Sequence, residues 1–565
     1  MTIRALFSLA LGACVAGALT LAPAPASACG GFFCDNSQPV NQQAERIIFA
    51  EEPDGTVTAV IQITYAGPAE RFAWMLPVSG SPDIAVSSNA AFDRLQQASN
   101  PTYRMNVEVE GTCRGDDFAF GAPTVGGVVD AGVAVDMGAG GGMEVTVVDE
   151  GSVGPYDFVI ISLDPEAEDV VDIAIEWLQD NGFDVPSLGS DVLRPYLEAN
   201  MNLLAFRLTK GNSAGAIRPV MLSFGEGLPS IPLRPTAVAA EPDMGILVWV
   251  LGESRAIPAN YRSLELNEAL INWFSPGGTY DDVVTRAANE AGGQGFVTEM
   301  SSSAPELGAV LWQDWEEIRW NILRDADWTG REGELLLNIA DFTALDGMRE
   351  LLGATLTPPP GVTEEQLLAC LFCYFNGSEA DIEGFEPTAC LDAMEENVID
   401  PIVDTKALFD RTTIQTRLYT TMSADEMTMD PVFDFNADLG SYSNDHVVTR
   451  TIECSPDVNQ FDAPWRVELE SGDVVRGTGQ TWPLSLDNSD MPAAARISRV
   501  GTTGTGEVTV DNTASIAASL DAHNDTIPGP AGTDGFCAAS PNAGAAGFGA
   551  LGLAMLALVF RRRRA

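Results

Sequence analysis

The residues best spaced for chemistry lie in Asp434-Phe-Asn-Ala-Asp-Leu-Gly440. Side-chain oxygens recur at Asp434, Asn436 and Asp438, and Asp445 falls at the twelfth position of a calcium-loop count. Hard cations take such oxygens, so these four residues form a candidate Ca2+ site. Gly440 comes one place late, and Asp445 is shorter than the Glu that closes such loops; an acidic solvated loop is the alternative. A second motif, Cys370-Leu-Phe-Cys373, has C-x-x-C spacing. Redox pairs stand exposed at a helix N-terminus, where the thiolate is stabilised, whereas this one lies within an apolar run, 367–375, that reads as helix. Zinc would need four close ligands. Structural disulfides, for instance one of the pair to Cys390, are the better use. A third, Gly211-Asn-Ser-Ala-Gly215, matches G-x-S-x-G, but a nucleophile elbow needs a helix after the serine. Here 216–224 carries Pro219 and reads as a strand, which makes the motif a hairpin loop. His446 and His523 are the only histidines that could serve as its base.

The remaining thiols fit an oxidising compartment. Arg4, an apolar stretch over 5–21 and Ala26-Ser-Ala28 make a secretory leader, which signal peptidase would cut after Ala28 to leave Cys29 first. Lipidation of Cys29 is the minority reading, because Ala26 stands where a lipoprotein signal usually has Leu. Beyond the leader lie Cys29, Cys34, Cys113, Cys370, Cys373, Cys390, Cys454 and Cys537, and disulfides are the default for an exported chain. At the other end, Cys537 precedes a polar spacer, an uncharged apolar run at 543–560 and four arginines, Arg561 to Arg564. A span needs about 20 apolar residues, so the run is short but feasible with its flanks. The basic cluster stays cytoplasmic. The expectation is an exported protein of the cell envelope or outer surface, held at the inner membrane through residues 543–560 with its C-terminus inside.

The net charge is −50 for 565 residues. Leader and tail hold five basic and no acidic residues, so the remaining 25 basic against 80 acidic residues leave −55. Such a field repels nucleic acid and anionic membrane surfaces.

Several elements must position these residues. Between 56 and 65, Val57, Ala59, Ile61, Ile63 and Tyr65 alternate with polar residues, a strand pattern, and Pro53-Asp-Gly55 before it is a turn. Ser88 caps a helix over 89–97. A Gly/Ala/Val segment, 121–142, is a surface insertion without the lysine of a phosphate loop. Val171, Ala174, Ile175 and Leu178 stripe a helix begun by Asp164 and Pro165. The unalternating 245–251 reads as a central strand covered on both faces. From Leu264 the pattern turns helical: Leu266, Ala269, Leu270, Trp273 and Phe274 fit one face. Leu307, Val310, Leu311, Trp315, Ile318 and Ile322 fit the core face of a longer helix. Thr363 and Gln366 form a capping box ahead of Cys370.

Two resemblances add to this reading. Ala28-Cys-Gly-Gly-Phe-Phe-Cys34, Arg71-Phe-Ala-Trp-Met-Leu-Pro-Val78, Trp177-Leu-Gln-Asp-Asn-Gly-Phe-Asp-Val-Pro186, Pro232-Leu-Arg-Pro-Thr-Ala-Val238 and Leu418-Tyr-Thr-Thr-Met422 resemble the bacterial family called domain of unknown function 2330, over roughly 29–436. That resemblance implies export and brings no catalytic residue. The tail resembles the MYXO-CTERM class of surface-sorting signals, which implies cleavage near Cys537 by a sortase-like membrane protease.

The sequence thus predicts an α+β protein with antiparallel sheets. Its expected parts are a leader at 1–28, a mainly β portion at 29–262, a mainly helical section at 263–450, a β-rich unit and spacer at 451–536, and the sorting tail at 537–565. The expected function is binding or structural. A carboxylate-using envelope hydrolase and a calcium-dependent surface adhesin are the alternatives.

Overall fold

The computed structural model describes residues 42–62, 73–114, 145–164, 170–181, 189–208, 217–237, 240–374, 385–483, 486 and 490–528. The leader, Ala28, Cys29, Cys34, the segment 121–142, the 211–215 motif, Cys537 and the run 543–560 lie outside the described residues. Strands run in chain order as β1 Gln42–Glu51, β2 Thr56–Gln62, β3 Ala73–Val78, β4 Asp83–Val86, β5 Thr102–Glu110, β6 Val145–Val153, β7 Tyr156–Leu163, β8 Asn202–Leu208, β9 Val220–Glu226 and β10 Ala240–Gly252. They continue as β11 Arg255–Pro258, β12 Arg262–Leu266, β13 Gly295–Ser303, β14 Ile414–Met422, β15 Phe433–Asn436, β16 Asp445–Glu453, β17 Pro464–Glu468, β18 Val474–Thr478, β19 Ala494–Arg499 and β20 Glu507–Asp511.

Among the described residues, ten strands form one sheet in the order β20-β19-β12-β13-β14-β10-β1-β2-β9-β4. It is mixed: β1 runs parallel to β10, and β12 to β13. The central strand is β10, covered on both faces as its composition requires. Leu247, Trp249 and Leu251 pack with Trp320, Leu336 and Phe409 of a helical layer. Ile246, Val248 and Val250 pack with Leu204 and Phe206 of a four-stranded sheet, β3-β8-β7-β6. That second sheet buries its other side under the helices Val170–Asp180 and Gly189–Glu198. A third sheet, β18-β17-β16-β5, shares a core with β12, β19 and the helix Tyr280–Glu290. The α+β class holds, with both sheet orientations present.

Local signals placed several elements correctly. Ser88 caps the helix Asn89–Ser99, and Thr363 and Gln366 cap Glu364–Ala369 reciprocally. Others differ from expectation. The section 263–450 alternates helix with β12 to β16. After β12 the chain takes only the short 3-10 turn Glu268–Leu270, yet Ala269, Leu270 and Trp273 are still buried. The single long helix expected through Leu307 and Ile322 is two: Ala304–Gly308 and Asp314–Asp325. A capping box of Gln313 and Glu316 starts the second. Arg94 holds the Glu316 carboxylate at 2.7 Å, so Glu316, Trp320 and Leu323 face inward. Trp315, Ile318 and Ile322 then face water, 49%, 59% and 56% exposed.

Candidate functional site

The four residues of the calcium motif do not converge. Asn436, at the end of β15, is fully buried and donates from Nδ2 to the carbonyls of Gly501 (2.6 Å) and Gly504 (2.9 Å). Asp438 accepts from the Gly504 amide at 2.7 Å, and Asp434 accepts from its neighbour Phe435. Asp445 opens β16 and pairs with Arg104 and Thr102 of β5. The motif therefore staples the 501–504 loop in place. No group of three or more His, Cys, Asp or Glu side chains is arranged to hold a metal among the described residues.

The cysteines pair differently from the suggested Cys390 bridge. Cys113 and Cys454 form a disulfide at a Cα separation of 4.7 Å, joining the ends of β5 and β16 across 341 residues. Cys370 and Cys373 pair with each other. The apolar run is not one continuous helix: Cys370 leaves helical geometry at φ −152°, and Leu371–Tyr374 makes a separate turn. That break is what brings the two sulfurs together. Cys390 is free and buried, and burial pushes its thiol up to about 11.

A cavity of about 910 Å³ opens where the third sheet meets the β12–β13 end of the large one. The parallel register of β16 on β5 sets His446 opposite Tyr103. Their rings stack at 4.6 Å with 8° between planes, and Trp273 braces Tyr103 edge-on at 4.9 Å. Tyr442 is fixed by a backbone bridge to Ser301 of β13, and the Arg255 guanidinium lies 5.3 Å over its ring. Glu268, from the 3-10 turn after β12, brings Oε1 within 3.0 Å of His446 Nδ1, a close charge contact without hydrogen-bond alignment. Glu470 and Asp473 line the cleft from the β17–β18 turn.

The floor is Glu299. It is the extra residue of a bulge in β13, between Thr298 and Met300, and bulges re-aim side chains. Its carboxylate meets Arg417 Nε at 2.5 Å and accepts from Tyr280 Oη. Arg417 also donates to Ser99 Oγ (2.9 Å) and Asn100 Oδ1 (2.8 Å), tying the cleft floor to the end of the Ser88-capped helix.

Electrostatics follow from this packing. Burial raises the Tyr103 and Tyr442 hydroxyl pKa values, and the Glu268 charge adds to both. Burial pulls His446 down, but Glu268 and then Glu470 outweigh it, so the imidazole sits above the usual histidine value. Burial raises Glu299 against the opposing pull of Arg417. Arg496 faces Glu265 at 3.0 Å and Arg417 faces Glu299; of the other lining charges, Arg255 offsets one of Glu268, Glu470 and Asp473, which leaves the cleft net negative around the rings. Sequence reasoning missed this site. Its walls come from positions as far apart as Tyr103 and Asp473, and only the rarity of His446 could have pointed to it. His523, the other histidine, contacts the Arg476 carbonyl at 2.8 Å.

A family model described as an uncharacterized protein conserved in bacteria (DUF2330) matches residues 23–311, just over half of the chain. The match takes in Tyr103, Glu268 and Glu299 and ends before Tyr442, His446 and Glu470. No curated protein and no solved structure matches.

Proposed function

From the premise that the chain belongs to the DUF2330 family of uncharacterized bacterial proteins, we propose an exported, envelope-anchored binding protein whose cleft takes a ligand bearing an organic ammonium or guanidinium group. The observation that carries this is the placement of Glu268 and Glu470 among Tyr103, Tyr442 and His446 in one cavity. Aromatic faces attract cations through their quadrupole, and carboxylates add directed hydrogen bonds. The acidic field of the whole chain concentrates cations at such a cleft. Export and anchoring rest on the leader, the apolar run at 543–560 and the arginines behind it, and two disulfides fit an oxidising compartment. None of the described helices is long and apolar enough to cross a membrane. Processing of the tail near Cys537 belongs to the same proposal.

The hydrolase alternative has less to stand on. Glu299 is committed to Arg417 and Tyr280. Calorimetric titration of the protein with putrescine and with tetramethylammonium, both as chloride salts, against sodium chloride as control, tests the binding reading. Saturable binding of the organic cations is expected, with Glu268→Gln weakening putrescine about tenfold, the worth of one charged hydrogen bond. Organic cations that titrate no better than sodium chloride would sink the reading.

A further inference from the structure

A strand at the edge of a sheet offers unpaired amides and carbonyls to any chain that can lie beside it. Edges are therefore kept short, bulged, covered or interrupted by proline. Among the described residues, every sheet edge but one is guarded in such a way. β4, β11 and β15 have four residues each, and β3 carries Pro77. β6 is bulged at Val148 and β20 at Thr509. β18 is closed by the helix Thr513–Asn524: the Arg476 amide donates to Asn524 Oδ1 (2.9 Å), and Asn524 Nδ2 donates to the Val474 carbonyl (2.7 Å).

β5, the opposite edge of that same sheet, has none of these guards. It is nine residues long, keeps unbroken register with β16 from Thr102 to Glu110, and is exposed at every position from Asn106 onward. Val107 and Val109 are 54% and 48% exposed. The Thr102 amide donates to the Asn444 carbonyl, and the Glu110 carbonyl accepts from the Cys454 amide, so the even-numbered residues bond towards β16. By the alternation of a strand, Tyr103, Met105, Val107 and Val109 turn their amides and carbonyls to the open side.

We propose that a second copy of this chain pairs antiparallel along β5, about a two-fold axis at Asn106. The occupant is a like strand because β5 is complementary to itself. Turned end for end about Asn106, it sets Met105 against Val107 and Tyr103 against Val109. These are the residues whose backbone groups point outward, so their hydrogen bonds close in pairs. On the other face Arg104 meets Glu108 twice, in non-hydrogen-bonded pairs, where facing side chains come closest. Glu110 is already held by Arg466 at 2.9 Å, which leaves Glu108 for this contact. A centre on Met105 would lose both Arg–Glu pairs, and a centre on Val107 would shorten the overlap. The pairing joins two four-stranded sheets into one. It is isologous, so it closes at a dimer.

Oxidative crosslinking of the full-length protein tests this at about 0.15 M salt, where the mutual repulsion of two chains at −50 is screened beyond about 8 Å. Asn106→Cys should give a disulfide-linked dimer, because its two copies face each other at about 4.5 Å between Cα atoms. Glu108→Cys should not, since its two copies lie four residues apart along the paired strands, about 13 Å. Peptide mass spectrometry places the bridge. In sedimentation equilibrium without added cysteine, Glu108→Arg should weaken the dimer about tenfold by setting like charges opposite each other. Glu150→Arg on the bulged edge β6, the same change of charge, should leave it unchanged. No bridged dimer from Asn106→Cys, equal bridging from Glu108→Cys, a bridge to a different protein, or equal effects of the two arginine variants would each overturn the proposal.

Discussion

Glu299 and Arg417 form a buried ion pair, at 2% and 4% exposure. The pair's desolvation is offset only because every arm of the guanidinium is used, on Glu299, Ser99 and Asn100. Removing the cation alone strands a buried carboxylate. Arg417→Met is therefore expected to cost about 3–5 kcal/mol in urea unfolding. A cost below 1 kcal/mol would show that the pair is not the anchor described. Glu45 on β1 is a different case, buried with Oε2 unpartnered. Burial, with Asp430 adding to it, pushes its carboxyl from 4.5 up to about 8. The folded state thus keeps a proton that the unfolded chain releases above 4.5. The stabilisation is complete below pH 4.5 and is lost as pH rises through about 8. Glu45→Gln should flatten that decline, so the variant should gain on the wild type between pH 5 and pH 8.5 in urea unfolding. An unchanged difference at the two pH values would refute the assignment.

At the scale of elements, the helix Asp314–Asp325 shows how a cap can outvote a hydrophobic pattern. Sequence periodicity joined Trp315, Ile318 and Ile322 to the stripe begun at Leu307. The Gln313–Glu316 box restarts the helix, and the Arg94 contact turns Glu316 inward in their place. Ile318→Ser should then change stability by less than about 0.5 kcal/mol, the usual range for a surface site. Trp320→Ala should cost about 3–5 kcal/mol by opening a cavity against β10. The reverse ranking in thermal melts would restore the face read from the sequence. A similar tertiary decision made the Cys370–Cys373 bridge: an apolar run that reads as helix is broken at Cys370.

At the scale of the whole molecule, the described residues combine four sheets with a helical layer and leave separate cavities between them. Asn436 and Asp438 bond the 501–504 loop and Asp445 bonds β5, so the side chains of the motif point to different partners. The melting temperature is therefore expected to be the same in calcium and in chelator at matched ionic strength, since a ligand of the folded state alone would raise it. A calcium-dependent rise would return these residues to a metal role. By itself the sequence determined the α+β class, the double burial of β10 and the caps at Ser88 and Thr363. Each follows from periodicity or capping chemistry, which need only neighbours. The tertiary structure alone decided that Cys113 meets Cys454 and that Tyr103 stacks on His446. Those contacts join positions up to hundreds of residues apart, and no local pattern encodes a distance that only closure of the whole chain creates.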